Sequence, residues 1–261
     1  MNIYETERLL NEYLLFHYGA DDEVLPWTFG PKNALGFAQR SVNALLDRAI
    51  VPATARALDL GCAVGRSCYE LAVVCDEVIG VDYSQRFVDA AETLRRDGSL
   101  HYFRSDEGTA RTALYASRPQ SGRRDTHVPS DERHKSVPSP CHERIRFEQG
   151  DAMNLREDLG AFDVVHAANL LCRLSEPQKL IDRLPSLVKP GGQLLLTTPC
   201  TWLEEYTPSA NWPQGSTFDW LQRELGAHFT LELQKDIPFL IREHARKFQW
   251  SVTLGTRWVR K

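Results

Sequence analysis

The chain has 261 residues, of which 42% are hydrophobic, and its formal net charge is −4. The hydrophobic content predicts a packed core, and the slight acidic excess gives no general attraction to nucleic acid or to anionic membranes. No apolar run approaches the roughly 20 residues that a membrane span needs, so the sequence predicts neither a nucleic-acid partner nor a membrane partner.

The six cysteines form no C-x-x-C pair, and several of them lie in apolar runs. This pattern predicts neither a zinc site nor a disulfide framework, and we expect no bound metal. The first residues, MNIYETERLLNEY, are charged and lack the apolar core of a secretory signal. Together with the free thiols, they favour a cytoplasmic location.

Residues 1–52 predict a helical cap. Apolar side chains recur along one stripe over residues 4–17, as in an amphipathic helix. A loop rich in aromatic residues, proline and glycine follows over residues 24–37, and a further helix runs to about Ile50. Pro52 then separates this cap from the rest of the chain.

From residue 53 onward, short apolar strands alternate with helical segments. Strands separated by crossover helices predict a parallel sheet that is covered on both faces. The last two strands have no helix between them and fit an antiparallel hairpin at one edge. The sequence therefore predicts an α/β fold with a mostly parallel, seven-stranded sheet over residues 53–261. The predicted strands span residues 55–60, 77–82, 144–150, 162–169, 193–199, 229–234 and 249–259.

One segment does not follow this alternation. Residues 100–117 predict a β-hairpin that turns at residues 106–108. Residues 118–143 are polar and proline-rich, and they have too few apolar side chains to order as a core element, so we expect a flexible surface loop there. The hairpin and the loop, at about residues 100–143, are interpreted as an insertion in a single domain.

The stretch 57-ALDLGCAVGRS-67 predicts a strand, a glycine-rich turn and the start of a helix. A dinucleotide turn needs G-x-G-x-x-G, but Ala63 and Arg66 occupy its second and third glycine positions. Asp59 lies two residues before Gly61, where a carboxylate would repel a pyrophosphate. The turn therefore suits a cationic ligand without phosphate, such as S-adenosylmethionine. Taken alone, it could also be only a tight connection between a strand and a helix.

Other polar residues follow the ends of the predicted strands, where open α/β sheets bind ligands. Asp82 ends the second strand, and its carboxylate can accept hydrogen bonds from both ribose hydroxyls. The D-x-G-x-A-x-G turn resembles motif I of class I methyltransferases, which implies their Rossmann-like fold and S-adenosylmethionine as the cofactor. In that pattern Asp151 accepts from the adenine amino group, and we expect the reacting methyl group near Asn169. The predicted cofactor-binding residues are Asp59, Gly61, Cys62, Gly65, Asp82, Tyr83, Asp151, Ala152 and Asn169.

Four further stretches resemble a narrower family: 13-YLLFHYG-19, 167-AANLLCRL-174, 182-DRLPSLVKPGGQLLLTTPCTWLEEYTP-208 and 234-QKDIPFLIREHARKFQW-250. They resemble the 4-mercaptohistidine N-methyltransferases of ovothiol biosynthesis, which usually form the C-terminal domain of a larger iron-dependent sulfoxide synthase. The resemblance implies methylation of the imidazole π-nitrogen of 5-thiohistidine, giving ovothiol A and S-adenosylhomocysteine. It also implies a stand-alone enzyme that receives thiolated histidine from a separate sulfoxide synthase.

Three segments are expected to converge at the carboxyl edge of the sheet and to form the acceptor pocket. They are the cap, the loops after the fourth and fifth strands, and the connection between the last two strands. An amino-acid substrate needs a cation for its carboxylate and an anion for its amine, and Tyr or His side chains can hydrogen-bond its ring. The predicted substrate-binding residues are Tyr13, His17, Arg173, Tyr206, Arg242, Glu243 and Lys247, and the predicted catalytic residues are Asn169, Tyr18 and His17.

These side chains also have purely structural interpretations. Tyr13 and His17 fall on the apolar stripe of a helix and can simply pack there. Arg242 and Glu243 can form a solvated ion pair of little energetic value. Two other functions stay open at this point: methylation of a different small amine or thiol acceptor, and a cofactor-binding partner subunit without catalysis.

Overall fold

The computed structural model describes residues 3–119 and 141–261. Its helices are α1 (Glu7–Tyr18), α2 (Asp21–Val24), α3 (Phe37–Leu45), α4 (Arg66–Ala72), α5 (Gln85–Asp97), α6 (Pro177–Leu187) and α7 (Thr217–Leu225). Its strands are β1 (Arg56–Leu60), β2 (Glu77–Asp82), β3 (Ser99–Glu107), β4 (Ala110–Ser117), β5 (Ile145–Gln149), β6 (Phe162–Ala168), β7 (Val188–Thr198), β8 (Phe229–His244) and β9 (Lys247–Arg260).

Seven of these strands form one sheet in the order β5-β2-β1-β6-β7-β9-β8. Strands β5, β2, β1, β6 and β7 run parallel to one another, whereas β9 is antiparallel to both β7 and β8. The predicted fold is therefore confirmed: a mostly parallel, seven-stranded α/β sheet of the class I methyltransferase type, with an antiparallel C-terminal hairpin and N-terminal helices.

The sheet is apolar on both faces because helices cover both of them. Neighbouring residues of β1 point in opposite directions, so Leu58 joins the core cluster that contains α6, and Ala57 joins the cluster that contains parts of α3 and α4. Both side chains are fully buried. This arrangement places the carboxyl ends of β1, β2, β5 and β6 along one edge, where side chains after each strand can meet.

The C-terminal hairpin is longer than the sequence predicted. Residues 235–248 were interpreted as a connection, but β8 extends to His244 and pairs with β9 along almost its whole length. Ile237 and Phe239 are both buried with half-buried Pro238 between them, which fits the two-residue period of a strand, and Leu240 is buried on the other face. Pro238 does not interrupt β8, because β8 is the edge strand and one side of its backbone needs no partner.

Strands β3 and β4 form a separate two-stranded sheet within the segment where the sequence predicted an inserted hairpin. Tyr102 and Ala116 are buried against the N-terminal cap in a third core cluster. Asp106 on β3 accepts a hydrogen bond of 2.9 Å from Arg242 on β8, which fastens the hairpin to the main sheet. Of the loop predicted over residues 118–143, residues 120–140 lie outside the described residues.

No helix within residues 3–119 and 141–261 has the length and apolar character needed to cross a membrane.

Candidate functional site

A cavity of about 680 Å³ lies at the carboxyl edge of the parallel strands, beneath the N-terminal cap. Its wall also includes residues of the loops after β6 and β7 and of the hairpin β8–β9. Most of the predicted site residues line it: Tyr13, His17, Gly61, Cys62, Asp82, Tyr83, Asp151, Ala152, Asn169, Arg173 and Tyr206. Six predicted residues are not part of its lining: Asp59, Gly65, Tyr18, Arg242, Glu243 and Lys247.

The glycine-rich turn reverses the chain through left-handed backbone conformations. Gly61 has a φ of +67°, and Gly65 has a φ of +84°. A Cβ atom at Gly65 would lie 2.5 Å from Cζ of Phe147, so this glycine is needed for packing at the start of α4. Ala63, which stands where the related motif has glycine, keeps a φ of +48°. The turn therefore brings its backbone to the cavity at Gly61, whereas Gly65 supports it from behind.

Asp82, at the end of β2, is the carboxylate that faces the cofactor half of the cavity. Its Oδ2 accepts the backbone N–H of Ala63 at 2.8 Å, and its Oδ1 accepts that of Ser84 at 2.9 Å. Each oxygen keeps a further lone pair, and a vicinal diol such as that of ribose supplies two matching donors. Burial raises the pKa of Asp82 to about 6, although the two backbone hydrogen bonds act in the opposite direction.

We expect the affinity for S-adenosylhomocysteine to fall as the pH drops below about 6. The empty protein carries an Asp82 whose pKa is raised to about 6, and hydroxyl donors favour the ionised form, so ligand binding lowers this pKa and expels a proton. Above pH 7 the affinity should be constant, and below pH 6 it should fall by up to tenfold per pH unit. Titration calorimetry from pH 5 to 8 measures this, with Asp82→Asn as a variant that should show no such dependence. Affinity that rises toward pH 5 would contradict the assignment.

Asp151 and Tyr83 stand at the outer end of the same half. One carboxylate oxygen of Asp151, Oδ1, accepts the backbone N–H of Met153 at 2.8 Å, which orients the side chain and leaves Oδ2 available. Tyr83 follows Asp82 directly, and its side chain is 61% exposed at the rim of the cavity. This end therefore offers one acceptor and one aromatic surface, as an adenine ring with an amino group requires.

Asp59 does not face the cavity, contrary to its predicted role in cofactor binding. It is 1% exposed, and its Oδ1 accepts a hydrogen bond of 2.7 Å from Nδ1 of His166 on β6. Its Oδ2 accepts from Ser67 at 2.5 Å and from Cys68 at 3.2 Å. Burial alone would raise the pKa of Asp59, but His166 and these hydrogen bonds hold it below its ordinary value. The residue ties β1, β6 and α4 together directly behind the turn.

The other half of the cavity is aromatic and contains one unpaired cation. Arg173 follows β6, and its guanidinium carbon lies 4.6 Å from the ring centroid of Tyr206. Its Nη1 donates to the carbonyl of Cys172 at 3.1 Å, but no described carboxylate forms an ion pair with it. Glu205 also lines the cavity. The cavity therefore offers both a cation and an anion to a ligand, as a zwitterionic amino acid requires.

His17 and Tyr13 place polar rings in this aromatic half. Burial lowers the pKa of His17 to about 3, so the ring is neutral at physiological pH. The His17 ring makes no hydrogen bond with a described residue, and its Nδ1 is buried. Burial raises the pKa of Tyr13 to about 12, so its hydroxyl stays protonated. Both groups can therefore form neutral hydrogen bonds with a bound ring and supply no charge.

The remaining predicted residues have structural partners and are not part of the cavity lining. The hydroxyl of Tyr18, which was predicted to be catalytic, donates to the carbonyl of Val64 at 2.8 Å. Arg242 is 3% exposed and donates to the carbonyl of Glu23 and to Asp106 on the inserted hairpin. Lys247 pairs with Glu243 at 2.8 Å near the end of the C-terminal hairpin. For Arg242 the correction follows from the strand register, since the predicted connection is paired strand.

Tyr4, Gln249 and Ser251 are among the cavity residues that the sequence did not single out. Tyr4 lies just before α1, and its ring contacts those of Tyr13 and Tyr206, with centroids 6.2 Å and 6.4 Å away. Gln249 lies on β9 and lines the cavity together with Ser251, two positions further on. Two polar residues spaced two apart point to the same face of a strand. This spacing could have indicated that both face the cavity, but only once the bounds of β9 were known.

A family model described as "Methyltransferase domain" matches residues 33–245. The chain belongs to this methyltransferase family. None of the curated proteins searched matches it. Family membership supports the predicted cofactor, S-adenosylmethionine, and the free lone pairs of Asp82 fit its ribose hydroxyls.

Solved structures share the fold of this methyltransferase at low sequence identity. The [4+2]-cyclase SpnF has a TM-score of 0.55 and 18% identity, covering 90% of this chain and 74% of its own. YcgJ of Bacillus subtilis has a TM-score of 0.53 and 13% identity, covering 85% of this chain and 98% of its own. Magnesium protoporphyrin IX methyltransferase (ChlM) of Synechocystis PCC 6803, solved with bound SAH, has a TM-score of 0.50 and 16% identity, covering 88% and 86%. Such distant similarities show the fold alone.

Proposed function

We propose that this methyltransferase methylates the imidazole π-nitrogen of 5-thiohistidine, giving ovothiol A. The observation that carries the proposal is the composition of the acceptor half of the cavity. It offers an unpaired Arg173, an acidic Glu205 and a neutral His17 within one aromatic enclosure. These groups match a carboxylate, an ammonium and an imidazole ring, which together make up a histidine-like substrate.

Each of these side chains has a definite role in this proposal. Arg173 binds the substrate carboxylate, for which its planar guanidinium can supply two parallel donors. Glu205 accepts from the amino group. Neutral His17 can accept a hydrogen bond from the ring N–H of the substrate, which selects the tautomer whose other nitrogen carries the lone pair.

S-adenosylmethionine supplies the methyl group, whose bond to the sulfonium sulfur breaks, with its electron pair staying on sulfur, as the new N–C bond forms. The residues of this chain hold the acceptor nitrogen in line with that bond, because a distance of about 3–3.5 Å and correct alignment account for much of such a rate enhancement. Among the described residues of the acceptor half, His17 is neutral with a lowered pKa and is therefore a weak base. Positioning, and not activation of the nucleophile, therefore decides the reaction.

The test is mass spectrometry of the purified protein incubated with S-adenosylmethionine and either 5-thiohistidine or histidine. We expect a single methyl group on a ring nitrogen of 5-thiohistidine and at least tenfold slower reaction with histidine, which lacks the sulfur and its hydrogen bonds. Thermal stabilisation by S-adenosylhomocysteine provides an independent check that the cofactor site is intact. If the protein binds this ligand but leaves 5-thiohistidine unchanged, the acceptor is another molecule or the protein binds the cofactor without catalysis.

A further inference from the structure

Asn169 is held more tightly than any role in packing requires. It follows β6 with a φ of +53°, a conformation that Asn tolerates better than most residues. Its backbone N–H donates to the carbonyl of Thr197 on β7 at 2.8 Å and to the Thr197 hydroxyl at 3.1 Å. Its side chain lines the cavity. The end of the amide that faces a ligand therefore decides what Asn169 can bind.

Two threonine hydroxyls set that orientation. Oδ1 of Asn169 accepts from Thr197 Oγ1 at 2.9 Å and from Thr253 Oγ1, on β9, at 2.8 Å. Both threonines are fully buried. Because the Thr197 oxygen already accepts the backbone N–H of Asn169, its own proton needs an acceptor, and Oδ1 provides it. A flipped amide would remove this acceptor, so the orientation is fixed.

The amide nitrogen of Asn169 is thus left for the ligand. In residues 3–119 and 141–261, no group accepts a hydrogen bond from Nδ2, whereas Oδ1 is used twice. An NH2 group only donates. It can donate to an anion or to a lone pair, but it cannot form a hydrogen bond with a protonated amine, because both groups are donors. This position therefore distinguishes two classes of acceptor molecule.

We propose that Asn169 binds the thiolate sulfur of the acceptor through Nδ2, with Thr197 and Thr253 as positioning residues that turn the donors toward it. This inference rests on the proposed function and deepens it. The substrate ring carries two nucleophiles, and the sulfur is intrinsically the stronger. Hydrogen bonds from Asn169 hold the sulfur away from the methyl group and reduce its reactivity, so the ring nitrogen is methylated.

The experiment measures the binding of 5-thiohistidine and of histidine to the protein loaded with S-adenosylhomocysteine, by calorimetry. In Asn169→Asp, a carboxylate oxygen replaces the NH2 group. We expect affinity for 5-thiohistidine to fall about 30-fold or more, and affinity for histidine to change less than about threefold, because only the first has an anionic sulfur. Affinity for S-adenosylhomocysteine should stay within about threefold of wild type, which also shows that the variant is folded.

A second pair of variants tests the threonine. Thr253→Val removes one hydroxyl donor at nearly constant volume, and Thr253→Ser retains it as the matched control. We expect the ratio of N-methyl to S-methyl product, measured by mass spectrometry, to fall about tenfold in Thr253→Val, because the amide loses one of the two hydrogen bonds that position it, and to stay within about twofold in Thr253→Ser.

Several outcomes overturn the inference. Equal losses for histidine and 5-thiohistidine would place Asn169 on their shared part, and a loss confined to S-adenosylhomocysteine would place it on the cofactor. An unchanged product ratio in Thr253→Val would show that Thr253 does not position the Asn169 amide. In each case a wild-type protein that methylates 5-thiohistidine leaves the proposed function standing. If wild type neither binds nor methylates 5-thiohistidine, the proposed function and this inference fall together.

Discussion

Asp59→Asn is expected to lower the free energy of unfolding by about 3 kcal/mol at pH 7, with little effect on the cofactor contacts themselves. Both oxygens of Asp59 accept hydrogen bonds in the buried interior, from His166 on one side and from Ser67 and Cys68 on the other. The amide has only one acceptor oxygen, so its NH2 group must face a donor. Urea denaturation followed by circular dichroism measures the change, with an unchanged slope showing that the native structure persists.

The pH dependence gives this prediction a second readout. The pKa of Asp59 is held below its ordinary value in the folded protein. A lowered carboxyl pKa contributes stability above the unfolded value, near 4, and this contribution is lost as the pH falls through the folded pKa. The difference between wild type and Asp59→Asn should therefore shrink below about pH 4. A difference that stays constant from pH 7 to 3 would show that ionisation of Asp59 is irrelevant.

Asp82→Asn provides the contrasting variant for the same turn. Asp82 faces the cavity and keeps lone pairs for a ligand, so its replacement should weaken S-adenosylhomocysteine binding, whereas Asp59→Asn, compared where it is folded, should weaken it less. The two carboxylates lie near the ends of neighbouring parallel strands, but Asp59 bonds to β6 and α4 and supports the fold, whereas Asp82 faces the cavity. Equal effects on affinity would contradict this division.

The cofactor half of the site could be predicted because its determinants are local. A strand, a turn and a helix start lie within a few residues of each other, and parallel strands place their carboxyl ends together whatever the remaining chain does. Asp82, Asp151 and Asn169 line the cavity for this reason. The burial of Asp59 was missed because it depends on His166, which lies 107 residues further along the chain.

The acceptor half depends on strand register, which the sequence does not state directly. Ile241 lines the cavity, but the next residue, Arg242, points away from it toward Asp106. Successive side chains of a strand face opposite sides, so treating residues 235–248 as a loop assigned Arg242 to the pocket, whereas the paired strand turns it toward Asp106. Four of the five residues from 237 to 241 are large and apolar, which is a signal for a buried strand, and Pro238 concealed it by suggesting a break.

Arg173→Met should raise the KM for 5-thiohistidine about 100-fold, with kcat changed only a few-fold and the affinity for S-adenosylhomocysteine unchanged, because a charged, bidentate contact to the substrate carboxylate is lost. The guanidinium lies over Tyr206 and has no described carboxylate partner, so its charge is available to a ligand. Steady-state kinetics with each substrate varied separately measure the three quantities.

Arg260→Met is the matched control, since Arg260 also lies over an aromatic ring, 5.6 Å from the centroid of Phe229, and donates to a backbone carbonyl at 2.8 Å, but does not line the cavity. A substrate analogue without the carboxylate separates charge recognition from general damage. Wild type should bind the analogue as weakly as Arg173→Met binds 5-thiohistidine. Arg173→Met should bind the analogue with nearly the same affinity as wild type does. If Arg173→Met instead weakens the analogue by another 100-fold, Arg173 does not bind the carboxylate, and the zwitterion match on which the proposed substrate rests is lost.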